Sequence, residues 1–439
     1  MKNRTPLLLI LAIECMLLSA LAHAGDPLIW EDQFDLGGKF DQARGIAVSG
    51  RQAVVIGIGQ TATGEVAMLV RAYESATGML EWQDQTPIAF GFITNVVIAG
   101  FGDEVYGAGY VARDEGTDFL VRAYDAKTGN RLWEDIADKG RDDIVLDIAA
   151  SHAGVFAVGY GGNMGGSSLD FLVRAYDRTS GTVLWEDQVD YGGTDDLAGQ
   201  VATEGEMVLV GGTSRGATTR DFVLRAYDAT TGKLAWESRY PAASGGALAT
   251  DPHHVYVGGL VADSSGLDHP FLASFDSTTG DLVWWQDRPE AIGDIIAEVV
   301  VRGSRLFSCG QSKTLVSSYD ARTGRLIWED RTGSPEGTFD AALAIDVGPD
   351  LVFMAGQSSQ PFIYSEFWVR AYDPKSGKLV WEDRAHQSTD IAGGSGAFDI
   401  AVKGDRVLAA GFSSEQNPDF LVRAYSAHEL KPLSSNPAH

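Results

Sequence analysis

Hydrophobic and polar positions alternate along this chain in short runs, and the runs come in groups of four. The first of a group is an apolar stretch such as Gly45-Ile46-Ala47-Val48. The second ends on a glycine, at Gly59, Gly109, Gly159, Gly212, Gly259, Gly310, Gly356 and Gly411. The third reads LVRAYD or a near variant, and the fourth ends at a tryptophan. Short runs bounded by glycine, with no helical periodicity, predict antiparallel β-strands. Between the last two runs lies D-x-x-[TS]-G, as in Asp125 to Gly129. There the Asp bonds the turn backbone and the Gly takes the left-handed conformation of a tight hairpin.

The groups repeat. FLVRAYDAKTGNRLWED at 119–135 returns as FLVRAYDRTSGTVLWED at 171–187. Tryptophans at Trp30, Trp82, Trp133, Trp185, Trp236, Trp284, Trp328 and Trp381 are spaced 52, 51, 52, 51, 48, 44 and 53 residues apart, whereas Trp285 and Trp368 lie outside the series. Eight copies of four short strands predict an all-β fold, an eight-bladed β-propeller of four-stranded antiparallel blades. A solenoid is the competitor, and the two ends decide between them. The last copy loses its Gly and Trp after Tyr425, while the chain begins with an unattached LIWED at Leu28 to Asp32. The N-terminal strand is therefore expected to close the last blade, which removes the open interface of a linear array. Residues 25–427 then form one propeller, with 428–439 as a tail.

The repeated A-Y-D-x-x-[TS]-G-x-x-x-W resembles the tryptophan-docking motif of the pyrroloquinoline quinone (PQQ)-type propellers, over essentially the whole chain after residue 24. The resemblance assigns the small-residue, glycine and tryptophan roles to Ala72, Gly78 and Trp82, to Ala123, Gly129 and Trp133, and to Ala371, Gly377 and Trp381. It implies that each indole of the series locks one blade onto its neighbour. Hairpin geometry adds an expectation: a loop of Ala126 to Gly129 pairs Asp125 with Asn130 and sets Arg122 opposite Trp133, guanidinium on indole. The same arginine recurs as Arg71, Arg174, Arg225, Arg370 and Arg423, but is Ala273 and Ser317 in the fifth and sixth blades.

Lys2 and Arg4, an apolar run from Pro6 to Leu21 and then Ala22-His23-Ala24 have the three parts of a signal peptide, with cleavage expected after Ala24. No small residues precede Cys15, so a lipid anchor is not expected, and no later stretch approaches the roughly 20 apolar residues of a span. The expected product is a monomer, periplasmic or secreted. Loss of Lys2, Arg4 and Glu14 takes the net charge from −26 to −27, which excludes nucleic acid as a partner. Cys309 is the one cysteine left, so the fold relies on its core and not on an internal disulfide.

For function, the resemblance raises a quinoprotein dehydrogenase holding PQQ and Ca²⁺ in the central funnel. Against it, the adjacent cysteines of those enzymes are missing, the blades are joined by loops of about ten residues, and no C-x-x-C-H is present for haem. The histidines are scattered, with no H-x-x-x-H or H-E-x-x-H spacing. No catalytic residue is assigned. One acidic pattern recurs before the innermost strand, at Asp41, Asp143, Asp196, Asp294, Asp340 and Asp399. It predicts a ring near the axis, able to hold Ca²⁺ or to bond turn backbone. The shortest copies, five and six, also carry Trp285, His253, His254 and Cys309, the candidates for asymmetric partner binding. The resulting expectation is a non-enzymatic scaffold for protein partners in the cell envelope, with no cofactor save Ca²⁺. The alternatives are a compact quinoprotein dehydrogenase and a propeller that binds a sugar or other small ligand.

Overall fold

The computed structural model describes residues 27–430, apart from 89–94, 114–115, 141, 163–167, 193–194, 217–219, 292, 312–314, 332–339, 361–362, 387–393 and 414–416. The leader and most of the expected tail lie outside the described residues. Among the described residues, thirty-two strands form eight antiparallel blades of four. Blades 1 to 7 span 37–87, 97–137, 144–189, 196–241, 243–287, 295–330 and 340–385. Blade 8 combines 396–426 with the N-terminal strand Leu28–Phe34, which pairs antiparallel with Asp419–Ser426. The closure anticipated from the orphan LIWED is therefore present. The first strands of neighbouring blades contact one another all the way round, from blade 1 to blade 8 and back, so they form the wall of the axis.

The first strand of seven blades carries a β-bulge, as between Val145 and Asp147 or between Ala198 and Gln200. This bulge explains the second-strand glycines. A Cβ on Gly159 would lie 1.9 Å from the Ile144 carbonyl oxygen, and one on Gly212 would lie 2.1 Å from that of Leu197. No side chain fits there. In blade 1 the residue in this position is Gly57, whose Cβ would lie 2.2 Å from Gln42 O, and not Gly59, two residues further along.

Each docking tryptophan reaches the hairpin turn of the next blade. Trp133 Nε1 donates to Arg178 O at 2.7 Å, and Trp30, Trp82, Trp185, Trp236, Trp284 and Trp328 do the same in turn to Ser75, Ala126, Ala229, Ser277, Ala321 and Pro374. The turn glycine has positive φ (71° at Gly181), and its missing Cβ is where the indole lies, 2.6 Å away at Trp133. The next blade's tyrosine covers the other side of the ring, with Trp133 and Tyr176 stacked at 5.5 Å. Trp381 departs from this because the chain leaves blade 8 through a short 3-10 turn, Ala427–Glu429, and it meets Tyr425 edge-on.

Candidate functional site

The conserved geometry of a regular junction is best seen at blades 2 and 3. Asp125 N bonds Asn130 O as expected, but Leu132 is an extra residue on the fourth strand, so Trp133 faces Ala123 and Arg122 faces Glu134. Arg122 therefore does not stack on Trp133; the bulge moves the indole one place toward the next blade. The arginine instead joins two blades by charge. Arg174 pairs with Glu186 of its own blade and with Asp135 of the preceding one (3.1 Å), and Tyr176 donates to the same Asp135 at 3.0 Å. Arg71, Arg122, Arg225, Arg370 and Arg423 repeat the link to Asp32, Asp84, Asp187, Asp330 and Asp383. W-E-D is thus a three-part joint: Trp to the next turn, Glu to its own arginine, Asp to the next blade's arginine and tyrosine.

Two junctions lack the Asp–Arg pair of this set, and the first of them lacks the tyrosine too. After Trp236 the Asp is Ser238, and blade 5 carries Ala273 and Phe275 where arginine and tyrosine stand elsewhere. After Trp284 the pair is Trp285-Gln286, and blade 6 carries Ser317. Trp285 replaces the ion pair by stacking on Phe271 at 4.2 Å and 6°. In blade 6 a cavity of about 20 Å³ remains beside Ser317, Cys309 and Arg288, and Arg288 pairs with Glu329 at 2.9 Å. Among the partner candidates, Cys309 is 2% exposed, so no partner reaches it; burial raises its thiol pKa and makes it inert. His253 is exposed in the Asp251 turn, while His254 is half-buried with Nδ1 3.2 Å from Asp251. The four candidates lie on different elements.

The six acids expected as one ring occupy two kinds of position. Asp41, Asp143, Asp196, Asp294 and Asp340 stand two residues before the bulge and are buried. Asp143 accepts from Lys139 N at 2.5 Å and from Gly162 N at 2.7 Å, and Asp41 accepts from Leu36 N and Gln60 N, so these acids fasten incoming chain to the blade. Asp399 belongs elsewhere: it follows the bulge, and Ser395 fills the earlier place. Among the described residues, the carboxylates that converge are junction groups, Asp35 with Asp41 and Asp419, and Asp118 with Asp138 and Asp143.

Sequence reasoning missed the acids that do face the axis. Asp147, Glu298 and Asp399 share the position after the bulge, and Asp346 lies near them on its own first strand. Each reaches the next blade's inner strand: Asp147 to Val201 N (2.9 Å), Glu298 to Ile345 N (2.7 Å), Asp346 to Val402 N (2.7 Å) and Asp399 to Ile46 N (2.7 Å). They cap the unpaired amides of an edge strand. Glu298 and Asp346 line a cavity of about 370 Å³ with Ile46, Ile345, Ile400 and Lys403. Burial first, and then repulsion from one another and from Asp346, pushes Asp147 and Asp399 up to about 6 and Glu298 to about 8, while burial alone raises Asp346 against the opposing charge of Arg302.

The family described as outer membrane protein assembly factor BamB matches residues 17–212 and 169–366. No curated protein matches individually. Among solved structures, a europium-containing methanol dehydrogenase is similar at 13% identity and a TM-score of 0.56, over 91% of this chain and 93% of that one. The quinohemoprotein alcohol dehydrogenase ADHIIG of Pseudomonas putida HK5 is similar at 13% identity and 0.57, over 94% and 78%. That of Comamonas testosteroni is similar at 13% and 0.52, over 96% and 79%. At such identity these likenesses establish the propeller fold alone.

Proposed function

Since the chain belongs to the outer membrane protein assembly factor BamB family, we propose that it is an exported, non-enzymatic propeller that scaffolds protein partners in the cell envelope. The observation that carries this reading is a belt of exposed aliphatic side chains on the outermost strands, repeated blade after blade: Leu80, Leu132, Leu184, Leu234, Val283 and Leu326, each 38–45% exposed. An apolar surface of this kind is what a protein partner covers. The axial acids support it from the other side, being engaged with backbone amides and opposed in charge to the tricarboxylate quinone. Among the described residues no helix is long and apolar enough to cross a membrane, consistent with action from the periplasm or outside.

The test is native mass spectrometry with cross-linking on the mature protein purified from its host, beside a variant carrying Leu132→Asp, Leu184→Asp and Leu234→Asp. The reading predicts a protein companion cross-linked to the outer strands and lost from the variant, whose melting temperature is unchanged. Extra mass matching a quinone with calcium, or a sugar held in the channel, would overturn it.

A further inference from the structure

The hairpin turns of each blade lie on one face of the ring, the turn joining its first two strands beside the turn joining its last two. In blade 6 these are Arg302-Gly303-Ser304-Arg305 and Asp320 to Arg325, tied together by a bond from Ala321 N to Ser304 O at 3.0 Å. Arg302 faces Arg305 across the first turn, and Arg305 faces Asp320 on the third strand. Arg325 O accepts from Asp320 N at 2.9 Å across the second turn. Arg302, Arg305, Arg322 and Arg325 therefore stand at one end of four adjacent strands, which at about 4.8 Å per strand places their backbones within about 15 Å of one another.

Arg302, Arg322 and Arg325 are exposed and Arg305 is half-buried. Arg302 bonds Val347 O and Arg305 bonds Ser318 Oγ, and none of the four forms an ion pair among the described residues. Elsewhere guanidinium groups are matched with acids, at the joints from Arg71 to Arg423 and nearer the surface at Arg131, Arg220 and Arg239. The one acid on the two turns is Asp320, whose Oδ1 is already held by Thr323 N and Oγ1. Four arginines against this aspartate leave the turns at +3 on a chain of net charge −26. No other blade has a base at more than two of these four positions, and blade 2, directly across the ring, places Phe101, Glu104, Lys127 and Asn130 there. Like charges directly opposite one another, as Arg302 and Arg305 are, destabilise a sheet, so the fold does not account for them.

We propose that the turn face of blade 6 docks an acidic segment of a protein partner, whose Asp or Glu carboxylates accept paired N–H bonds from Arg302, Arg305, Arg322 and Arg325. The patch is one blade wide, and the same turns of blades 2 and 4 bring the exposed Asp103 and Glu206 to this face. A broad anionic surface such as a membrane meets those acids too and is repelled, whereas a narrow polypeptide meets the arginines alone. Lys375 and Lys378, on the matching turn of blade 7, extend the patch to one side. The inference rests on the partner reading for the premise that proteins dock on this chain, and gives one of them its chemistry at the turns and not on the outer strands.

The mature protein is titrated into fluorescein-labelled decaglutamate, read by anisotropy at low and then at physiological salt. Saturable binding that weakens steeply as salt rises is expected. Arg322→Glu with Arg325→Glu, at exposed positions, should weaken it about tenfold or more and leave the melting temperature unchanged. Arg51→Glu with Lys127→Glu makes the same change of net charge on the turns of blades 1 and 2, and should bind as wild type does. The belt variant, Leu132→Asp with Leu184→Asp and Leu234→Asp, should keep the peptide, so a failed belt and a failed patch are told apart. No saturable binding at low salt, equal weakening in the two charge-reversed pairs, or phosphatidylglycerol vesicles that carry down wild type but not Arg322→Glu with Arg325→Glu, would overturn the proposal.

Discussion

Blades 2 and 3 and blades 5 and 6 are copies of one sentence that hold together in different ways. At the 2/3 junction an indole bonds the neighbouring turn, an arginine links two blades through Asp135 and Glu186, and Tyr176 is bonded to the same Asp135. At the 4/5 and 5/6 junctions the indole dock survives, through Trp236 and Trp284, while the ionic part is gone from both sides at once. Asp and Arg are lost together at both, because a buried guanidinium without its carboxylates is worse than none, whereas the tyrosine gives way only in blade 5, to Phe275, and blade 6 keeps Tyr319. The comparison teaches that the two links are separable: the Trp–Gly dock stands without the Asp–Arg pair at 4/5 and 5/6, and the Arg423–Asp383–Tyr425 set stands without the turn glycine at 7/8.

The strongest break is at the shared link. Trp133→Ala should cost on the order of 3 to 5 kcal/mol, and Trp284→Ala in the irregular sector about as much, read by denaturant unfolding. Gly181→Ala should approach it, since the new Cβ would lie 2.6 Å from Trp133 on a positive-φ backbone. A smaller loss is expected for Arg174→Ala, on the order of 2 kcal/mol, because its partners Asp135 and Glu186 are about a quarter exposed and keep some hydration. Smallest is Ser274→Ala, which restores the motif alanine and removes a buried hydroxyl without a partner. It should be neutral or stabilise by up to about 1 kcal/mol; clear destabilisation would show that the serine serves a purpose.

The axial acids distinguish the sectors by pH. Glu298 has a folded pKa of about 8 against 4.5 when free, so the folded chain keeps a proton that the unfolded chain has released. Its contribution therefore falls as pH rises from about 4.5 to about 8 and is flat beyond. Glu298→Gln keeps an oxygen for Ile345 N and removes the charge. Its melting temperature should exceed that of wild type by a margin that grows across this interval. A constant offset would contradict the raised pKa.

The blade count, the closure by Leu28–Phe34 and the docking tryptophans were legible because each follows from spacing that recurs. The arginine register was not: Leu132 is an ordinary leucine in the sequence, and nothing marks it as the extra residue that turns Arg122 from Trp133 to Glu134. The axial acids escaped for a related reason. Their repeat position is Asp147, Glu298 and Asp399 in three blades but Gly45, Gln200, Ala247 and Ala344 in others, so no column of like residues stands out. Asp399 was grouped with Asp143 although Asp147, four residues on, is its true equivalent; the distance to the second-strand glycine separates the two. The glycines themselves were read as strand ends, whereas the bulge opposite them is a tertiary fact that requires the neighbouring strand.

The most direct test of a ring whose blades 2 and 3 share both links, and whose blades 5 and 6 share the indole dock alone, is hydrogen exchange of the mature protein under native conditions, resolved by blade. The account predicts that amides of blades 5 and 6, 243–287 and 295–330, open first and those of blades 2 and 3 last. Uniform opening, or first opening of blades 2 and 3, would contradict it.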